Sequence, residues 1–146
     1  MCIIATPTKC RGTQLLVCQT SASNQNDQSL RWMIIDCNLT SPGNFTGIVG
    51  STICDHDYNS NQGCNIVDPS IASFGPVFDQ KGGGVFVMKW DSDSMDVWFF
   101  YRSAIPDDIL NGLPDPSTWR TPSASLSSLR CPIDSYFWDH VLIFGQ

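Results

Sequence analysis

The sequence predicts an all-β protein, and three observations support that class. A strand–turn–strand pattern runs through the middle of the chain, charged residues make up only 15% of it, and all 14 acidic residues are aspartate. Glutamate is a good helix former, so its absence favours strands over helices. Gly, Pro, Ser, Thr and Asn are plentiful, which is typical of a β protein with many loops.

A hairpin between Ser73 and Arg102 is the strongest strand signal. Val85–Trp90 is mostly apolar with β-branched and aromatic residues, Asp91–Ser94 supplies turn chemistry, and Met95–Arg102 returns as a second strand. Alternation along that second strand places four residues on one face: Asp96, Trp98, Phe100 and Arg102. Because both faces carry aromatic residues, we expect one face in the core and the other covered or turned to a ligand.

The remaining segments predict short elements and loops. In chain order they are loops or short strands over Cys37–Gly50, a polar loop over Ile53–Asn65, a short helix from Pro106 to Gly112, a Ser/Pro-rich connection over Trp119–Pro132, and a last strand over Tyr136–Phe144.

The first 35 residues differ in charge from the rest. Residues 1–35 contain three basic residues and one acidic residue, Asp27, and so carry a net charge of +2. Since the whole chain has a net charge of −6, residues 36–146 carry −8. Short strands are expected at Gln14–Val17 and Leu30–Ile35, and disorder over much of the remainder. We therefore divide the chain into a segment 1–35 and a β-sandwich domain 36–146.

Seven cysteines occur, so at least one stays unpaired in any full disulfide scheme. No C-x-x-C pair is present, and disulfides in an oxidising compartment are favoured over a zinc site. A Cys54–Cys64 bridge across the polar loop is plausible, and the other pairings stay open. Asn38 and Asn44 begin N-x-Thr triplets and are candidate glycosylation sites.

Neither a metal nor another cofactor is expected. The spacing Asp55-x-Asp57-x-Asn59-x-Asn61 is similar to a calcium loop, but Ser60 stands where such a loop has Gly and Ile66 where it has Glu. The net charge of −6 argues against nucleic acid and anionic membranes as partners. No segment approaches a membrane span, and the N-terminus does not read as a signal peptide.

A series of motifs runs from Asp36 to Phe144. In order, they are Cys37–Thr40, Gly43–Gly47, Asn59–Cys64, Ser73–Phe78, Gly82–Phe86, Met88–Lys89, Val97–Arg102, Ile105–Ile109, Cys131–Asp134, Phe137 and Asp139–His140. Together these motifs resemble the C-terminal part of fungal glycoside hydrolase family 16 endo-1,3(4)-β-glucanases, the laminarinase branch. The resemblance implies a concanavalin-like β-jelly roll, here partial, with glucan lying across one sheet. It also implies an extracellular protein that acts on β-1,3 and mixed β-1,3/1,4 glucans, and we expect the folded chain to be a monomer.

The family's catalytic strand carries Glu-x-Asp-x-x-Glu, upstream of the region that matches Asp36. Met1 to Ile35 occupies that place here and holds no such motif. The family also continues past the region matching Phe144 into a closing strand. We therefore expect a catalytically incomplete relative, a truncated gene product being favoured over a divergent N-terminal cap.

No catalytic residue is assigned. Retaining hydrolysis needs two carboxyl groups about 5–5.5 Å apart. Asp91 and Asp93 are expected in a solvated turn, and Asp96 is a single carboxylate. His56 and His140 lack a nucleophile elbow beside them.

Sugar binding demands less than hydrolysis, namely flat aromatic faces and a few hydrogen-bonding groups. The candidates for contacts with β-glucan are Trp98, Phe100, Arg102 and Asp96. Packing between two sheets is the competing interpretation of these aromatic residues. A lectin-like glucan-binding module and a non-functional product are the alternatives to an enzyme.

Overall fold

The structure is a computed structural model that describes residues 2–5, 14–20, 29–34, 36–55, 57–58, 60, 62–70, 72–73 and 75–137. The described strands are β1 Cys2–Ala5, β2 Gln14–Thr20, β3 Ser29–Trp32, β4 Ile48–Ser51, β5 Cys64–Val67, β6 Gly84–Trp90, β7 Ser94–Tyr101 and β8 Ala124–Ser127. The described α-helices are short: α1 Gly75–Gln80, α2 Asp107–Leu110 and α3 Ile133–Tyr136.

The strands form two antiparallel sheets, which confirms the all-β class. One sheet has the order β1-β2-β6-β7-β8 and the other the order β3-β5-β4. A buried core contains residues of both sheets, with Met95 and Leu126 from the first and Ile66 from the second, and Trp32 and Val49 pack against it. The two layers thus bury their inner faces against each other, as in a sandwich.

Strands β6 and β7 confirm the predicted hairpin. They pair from Gly84↔Tyr101 to Trp90↔Met95, and the chain turns between them at Asp91–Asp93. Gly84 permits this close approach, since a Cβ there would lie 2.5 Å from the Phe100 carbonyl oxygen. The prediction placed Arg102 on the second strand and was wrong there, because the strand ends at Tyr101 and Arg102 begins a 3-10 turn.

Three further elements differ from the sequence prediction. The predicted connection Trp119–Pro132 contains β8, in which Ala124 and Leu126 are buried while the intervening serines are half-buried. Strand β8 alternates mostly small and polar residues, and such residues predict a strand only weakly. Helix α1 was not predicted; Phe78 anchors it, with its ring centroid 5.9 Å from that of Phe99. Tyr136 ends helix α3 instead of beginning a strand, and the rest of that predicted strand from residue 138 lies outside the described residues.

Strands also occur in the first 35 residues. The expected strands at Gln14–Val17 and Leu30–Ile35 correspond to β2 and β3. Strand β2 pairs with β6 from Gln14↔Trp90 to Thr20↔Gly84, and β3 pairs with β5. Each of the two sheets therefore contains strands from both sides of residue 36, and the division of the chain there stays a prediction.

Two disulfides join distant parts of the described chain. Cys54–Cys64, which the sequence made plausible, closes the polar loop, and Cys37–Cys131, a pairing that the sequence left open, links residues 94 positions apart. All four cysteines are buried in the core between the sheets. Each disulfide thus attaches a residue at the start or end of a loop to the buried core.

Residues 115–122, which we call the strap, cross the face of β7 that points away from the second sheet. Trp98 Nε1 donates to Arg120 O at 2.7 Å, the Arg120 guanidinium donates to Phe99 O, and Thr46 N donates to Pro122 O at 2.9 Å. The Trp119 ring meets Trp98 and Phe100 edge-on, with centroids 5.3 and 5.5 Å apart. The strap thereby covers the aromatic residues of this face.

Asp108 fixes the strap to helix α2. Its Oδ2 accepts from the backbone N of Asp115 at 2.6 Å and from the indole Nε1 of Trp119 at 2.8 Å. Slight burial would raise the pKa of the Asp108 carboxyl, but these hydrogen bonds and one from Ile109 N outweigh it and hold the pKa below 3.8. Hydrogen bonds to the ionised form are thus the dominant influence.

Removing the long disulfide should destabilise the protein more than removing the short one. In the chain-entropy account, a loop closed over 94 residues restricts the unfolded chain by roughly 4–5 kcal/mol, and one closed over 10 residues by roughly 2–3 kcal/mol. We expect Cys37→Ala/Cys131→Ala to lose about 2 kcal/mol more free energy of unfolding in urea than Cys54→Ala/Cys64→Ala. Since both pairs are buried, cavity effects are matched, and equal losses would contradict this expectation.

Acid should loosen the strap through Asp108. Its folded-state pKa is lowered, so the stabilisation is fully present above the unfolded pKa of about 3.8 and is lost as pH falls through the folded value. Asp108→Asn should lower the thermal midpoint at neutral pH and flatten its dependence between about pH 2 and pH 5. Asp107→Asn, which changes the neighbouring exposed carboxyl, is the control, and identical pH profiles for the two variants would refute the role of Asp108.

Candidate functional site

The candidate site is a cleft on the outer face of the five-stranded sheet, beside the strap. It has a volume of about 660 Å³ and we call it the polar cleft. Its floor contains Lys89, Asp96 and Ser125, which are partners in register across β6, β7 and β8. Alternation explains this row, because directly opposite residues of antiparallel strands point to the same face.

Asp96 is the centre of that row. Its Oδ2 accepts from Ser94 Oγ at 2.6 Å and its Oδ1 from Ser125 Oγ at 2.5 Å. Lys89 Nζ lies 3.6 Å from Oδ2, and the carboxyl is mostly buried. Both oxygens thus have a hydroxyl donor, which fixes the orientation of the carboxylate at the cleft floor.

Lys89 also forms an ion pair with Asp91, Nζ to Oδ2, at 2.6 Å. Burial would raise the pKa of Asp91, but Lys89 and the backbone N–H groups of Ser94 and Asp93 outweigh it and lower that pKa. Burial would lower the pKa of Lys89, and Asp91 and Asp96 together raise it. Both partners are therefore charged at neutral pH, which suits Asp91 to a structural role in the turn and not to proton donation.

Trp98 and Phe100 lie on the predicted face but are covered. They are 4% and 6% exposed and pack in a small core with Val85 and Val87, against which Trp119 lies. Their flat faces are thus unavailable for stacking on a sugar ring. Trp119, which is half-buried and lines the polar cleft, is the more accessible aromatic side chain.

Arg102 lies apart from the polar cleft. Its backbone N donates to Gly83 O and its Nε donates to Gly82 O at 3.2 Å, at the far end of the hairpin from Asp96. It lines neither this cleft nor its neighbour. Of the four predicted binding residues, the polar cleft includes Asp96 and an edge of Trp98.

A second cleft of about 480 Å³ lies on the other side of the strap. Phe100, Pro106 and Asp108 line it, and it shares Trp119 and Arg120 with the polar cleft. The guanidinium of Arg120 lies over the Phe100 ring, 5.4 Å from its centroid. Trp119 and Arg120 thus separate two adjoining depressions.

Four residues that line the polar cleft were not predicted from the sequence as binding residues: Trp119, Arg120, Lys89 and Ser125. Lys89 alternates with Val85 and Val87, so the period-2 pattern could have placed it on the Asp96 face. Trp119 and Arg120 carry no such pattern, because the strap is irregular and rich in Ser and Pro. Their position depends on contacts made by residues far away in the chain.

Among the described residues, no group of three or more His, Cys, Asp or Glu side chains is placed to hold an ion. Asp55 Oδ1 accepts from Asp57 N at 2.9 Å and so closes its own turn, while Asn59, Asn61, His56 and His140 lie outside the described residues. No helix within the described ranges is long and apolar enough to cross a membrane.

Sequence comparison places the chain beside known glycosidases. The sequence model of the XgeA-like catalytic domain of glycoside hydrolase family 16 matches residues 20–145. A probable glycosidase of Schizosaccharomyces pombe is 41% identical over 102 residues, and an endo-1,3(4)-beta-glucanase of Arthroderma benhamiae is 36% identical over 125. These alignments cover 68% and 83% of this chain but only 24% and 27% of the relatives.

Solved structures show the same relationship. Laminarinase 16A from Phanerochaete chrysosporium, solved with two β-glucans in its donor and acceptor sites, superposes with a TM-score of 0.72 at 28% identity, over 87% of this chain and 44% of that one. An elongating family 16 beta-1,3-glucosyltransferase superposes with a TM-score of 0.70 at 28% identity, over 94% and 45%.

The described strands, the two-layer core and both comparisons agree on one architecture, the jelly roll, of which this chain supplies a part. The chain spans about a quarter of the length of the curated relatives and under half of the solved structures. The match of the family model over residues 20–145 shows that this chain belongs to glycoside hydrolase family 16, among its XgeA-like catalytic domains.

Proposed function

We propose that this part of a family 16 domain binds β-glucan in the polar cleft and, with the residues it has, does not hydrolyse it. The observation that carries the proposal is the row Lys89–Asp96–Ser125 on the floor of an open cleft, in a chain without a single Glu. The row offers charged and hydroxyl groups at fixed positions. The chain lacks the long-armed carboxylic acids with which its family cleaves the glycosidic bond.

The cleft suits a sugar in size and chemistry. Its volume of about 660 Å³ falls in the range of about 300–1,000 Å³ usual for small-molecule sites. Trp119 supplies an aromatic edge, and Lys89, Ser127 and Arg120 add polar groups around Asp96. A ligand rich in hydroxyl groups and without phosphate can be bound by one aromatic side chain together with several hydrogen-bonding groups. The bound β-glucans of the Phanerochaete laminarinase support this class of ligand.

The predicted binding residues contribute unequally to this proposal. Asp96 is the principal hydrogen-bond acceptor, Trp98 supports the cleft from beneath, and Phe100 belongs to the second cleft. Arg102 would contact only a glucan that extended beyond both clefts. The proposal therefore gives the leading roles to Asp96 and Trp119.

Hydrolysis would require an acid and a nucleophile about 5–5.5 Å apart in the retaining mechanism. Asp96 accepts two hydroxyl hydrogen bonds, and Asp91 is paired with Lys89 and has a lowered pKa. The environment of Asp91 is unlike the apolar one that raises the pKa of a catalytic acid. The family's activity, endo-hydrolysis of β-1,3 and mixed β-glucans, would depend on residues outside this sequence.

An extracellular, monomeric setting completes the proposal. Two buried disulfides are typical of proteins from oxidising compartments. Asn38 and Asn44 are exposed, as acceptors of N-linked glycans must be. Asn44 lines the polar cleft, so a glycan there would stand at its mouth and compete with a bound polysaccharide.

Binding can be tested by retention on insoluble β-1,3-glucan. The unaltered protein should be retained, and Asp96→Asn and Trp119→Ala should each weaken retention about tenfold, the effect of losing roughly 1.4 kcal/mol of contacts. Tyr58→Ala is the matched control, because Tyr58 is an aromatic side chain 53% exposed that lines neither cleft. Thermal midpoints of all variants separate loss of binding from loss of folding.

Two outcomes would count against this site. Equal retention of the unaltered protein, Asp96→Asn and Trp119→Ala would move any glucan contact elsewhere on the molecule. No retention of a protein with a well-resolved near-UV dichroism spectrum would remove binding altogether, whereas a flat spectrum would favour a product without a stable function.

Hydrolysis can be tested with laminarin and lichenan as substrates. We expect no release of reducing ends above that of the heat-treated protein, because the acid–nucleophile pair is missing. Turnover by the recombinant chain that disappears in Asp96→Asn would show that an aspartate has taken over the chemistry and would refute the proposal.

A further inference from the structure

Strand β1 is the outermost strand of the five-stranded sheet. It has four residues, Cys2–Ala5, and pairs with β2 in antiparallel register. Short edge strands have few contacts to hold them, since one side of the ladder has no partner. An interaction in addition to the backbone pairing of four residues would therefore help to hold β1 beside β2.

The register of that pairing places two cysteines opposite each other. Cys2 is the partner of Cys18, followed by Ile3↔Val17, Ile4↔Leu16 and Ala5↔Leu15. Opposed residues of antiparallel strands have Cα atoms about 4.5 or 5.5 Å apart and occupy the same face of the sheet. Disulfides span Cα separations of about 4.4–6.8 Å, so either kind of opposed pair falls within reach.

The count of cysteines agrees with this placement. Seven cysteines are present, and Cys37–Cys131 and Cys54–Cys64 use four. The remaining three are Cys2, Cys10 and Cys18, all within the first 18 residues. Since the protein already holds two disulfides, conditions that form those bonds would also oxidise a suitably placed third pair.

We propose that Cys2 and Cys18 form a third disulfide, which fastens β1 to β2, and that Cys10 is the odd thiol. Cys10 lies in the connection between the two strands and outside the described residues. Both cysteines of the bond lie before residue 20, where the match of the family model begins.

The bond would form by thiol–disulfide exchange. One of the two cysteines, as its thiolate, attacks a disulfide of an oxidised small-molecule or protein partner and releases one partner thiol. The second cysteine, as its thiolate, then attacks the mixed disulfide and releases the other partner thiol. Two cysteine thiols are oxidised, one partner disulfide is reduced to two thiols, and the two protons lost by the cysteines pass to the released thiolates.

The bond would have a structural consequence for the cleft. Strand β2 lies between β1 and β6 in the sheet, and β6 carries Lys89 of the polar cleft. A disulfide between β1 and β2 would hold the edge strand β1 against β2, which itself pairs with β6. Its loss should therefore affect the first two strands before it affects β6 to β8.

Counting thiols tests the proposal. The oxidised protein, unfolded in denaturant without reductant and alkylated at acid pH, should carry one labelled cysteine, and Cys10→Ser should carry none. Three labelled cysteines in the unaltered protein, with two in Cys10→Ser, would overturn it. Cys2→Ser and Cys18→Ser should each carry two.

A tryptic map identifies the partners. Cleavage after Lys9, Arg11 and Arg31 places Cys2, Cys10 and Cys18 on three separate peptides, 1–9, 10–11 and 12–31. We expect peptide 1–9 linked to peptide 12–31 before reduction and both free after it. A link of peptide 10–11 to either of the others would assign Cys10 to the bond and refute the pairing of Cys2 with Cys18.

Discussion

Strand β7 must bury both of its faces, and much of the described structure follows from that requirement. Met95 enters the core between the two sheets and Val97 is buried on the same face of the strand, while Trp98 and Phe100 point to the opposite side. Burying a large apolar side chain contributes about 1.5–3 kcal/mol, so leaving both aromatic residues exposed would forgo roughly 3–6 kcal/mol. That is a large part of the roughly 5–15 kcal/mol by which a domain is stable. The outer face of β7 therefore needs a cover of its own.

The strap is that cover, and its polar groups determine where it can lie. An indole N–H that is buried without a partner costs about 1–3 kcal/mol. Trp98 finds its acceptor in the strap itself, at Arg120 O, and Trp119 finds its acceptor at Asp108, outside it. Helix α2 must consequently stand beside the strap to present Asp108. The hydrogen bonds of the Asp108 carboxylate thus connect helix α2 with the strap and, through Trp119, with the aromatic face of β7.

These couplings explain which parts of the fold could be predicted. Alternation is a local property, so it identified β6 and β7 and placed Asp96 and Trp98 on a common face. The partner of a strand is not local: nothing in the residues of β2 indicates that Gln14 pairs with Trp90, or that Cys37 meets Cys131. Strand β8 was missed because Ser125 and Ser127 are typical of loops, and it becomes a strand by pairing with β7.

The candidate site was predictable to the same degree. Asp96 was found because it alternates with aromatic residues on a strong strand, whereas Trp119 lies in a segment without periodicity. Trp98 and Phe100 were placed on the right face, but whether that face is covered or open to a ligand was left undecided, since the sequence does not show what covers a face. The covering element comes from residues 115–122, which predicted only a connection.

The described carboxylates of β7 and its surroundings are held mainly as acceptors of hydrogen bonds. A carboxylate held by Ser94 and Ser125, with Lys89 close by, keeps one orientation and accepts hydrogen bonds, which suits a ligand rich in hydroxyl groups. A catalytic acid requires the opposite conditions, an apolar environment and few donors, so that the proton is retained near neutral pH. At Asp91 and Asp108, hydrogen bonds to the ionised form move the pKa downwards, away from that condition. The hydrogen-bond donors that hold these two carboxylates in place thus favour their ionised forms, so neither Asp91 nor Asp108 is suited to donating a proton near neutral pH.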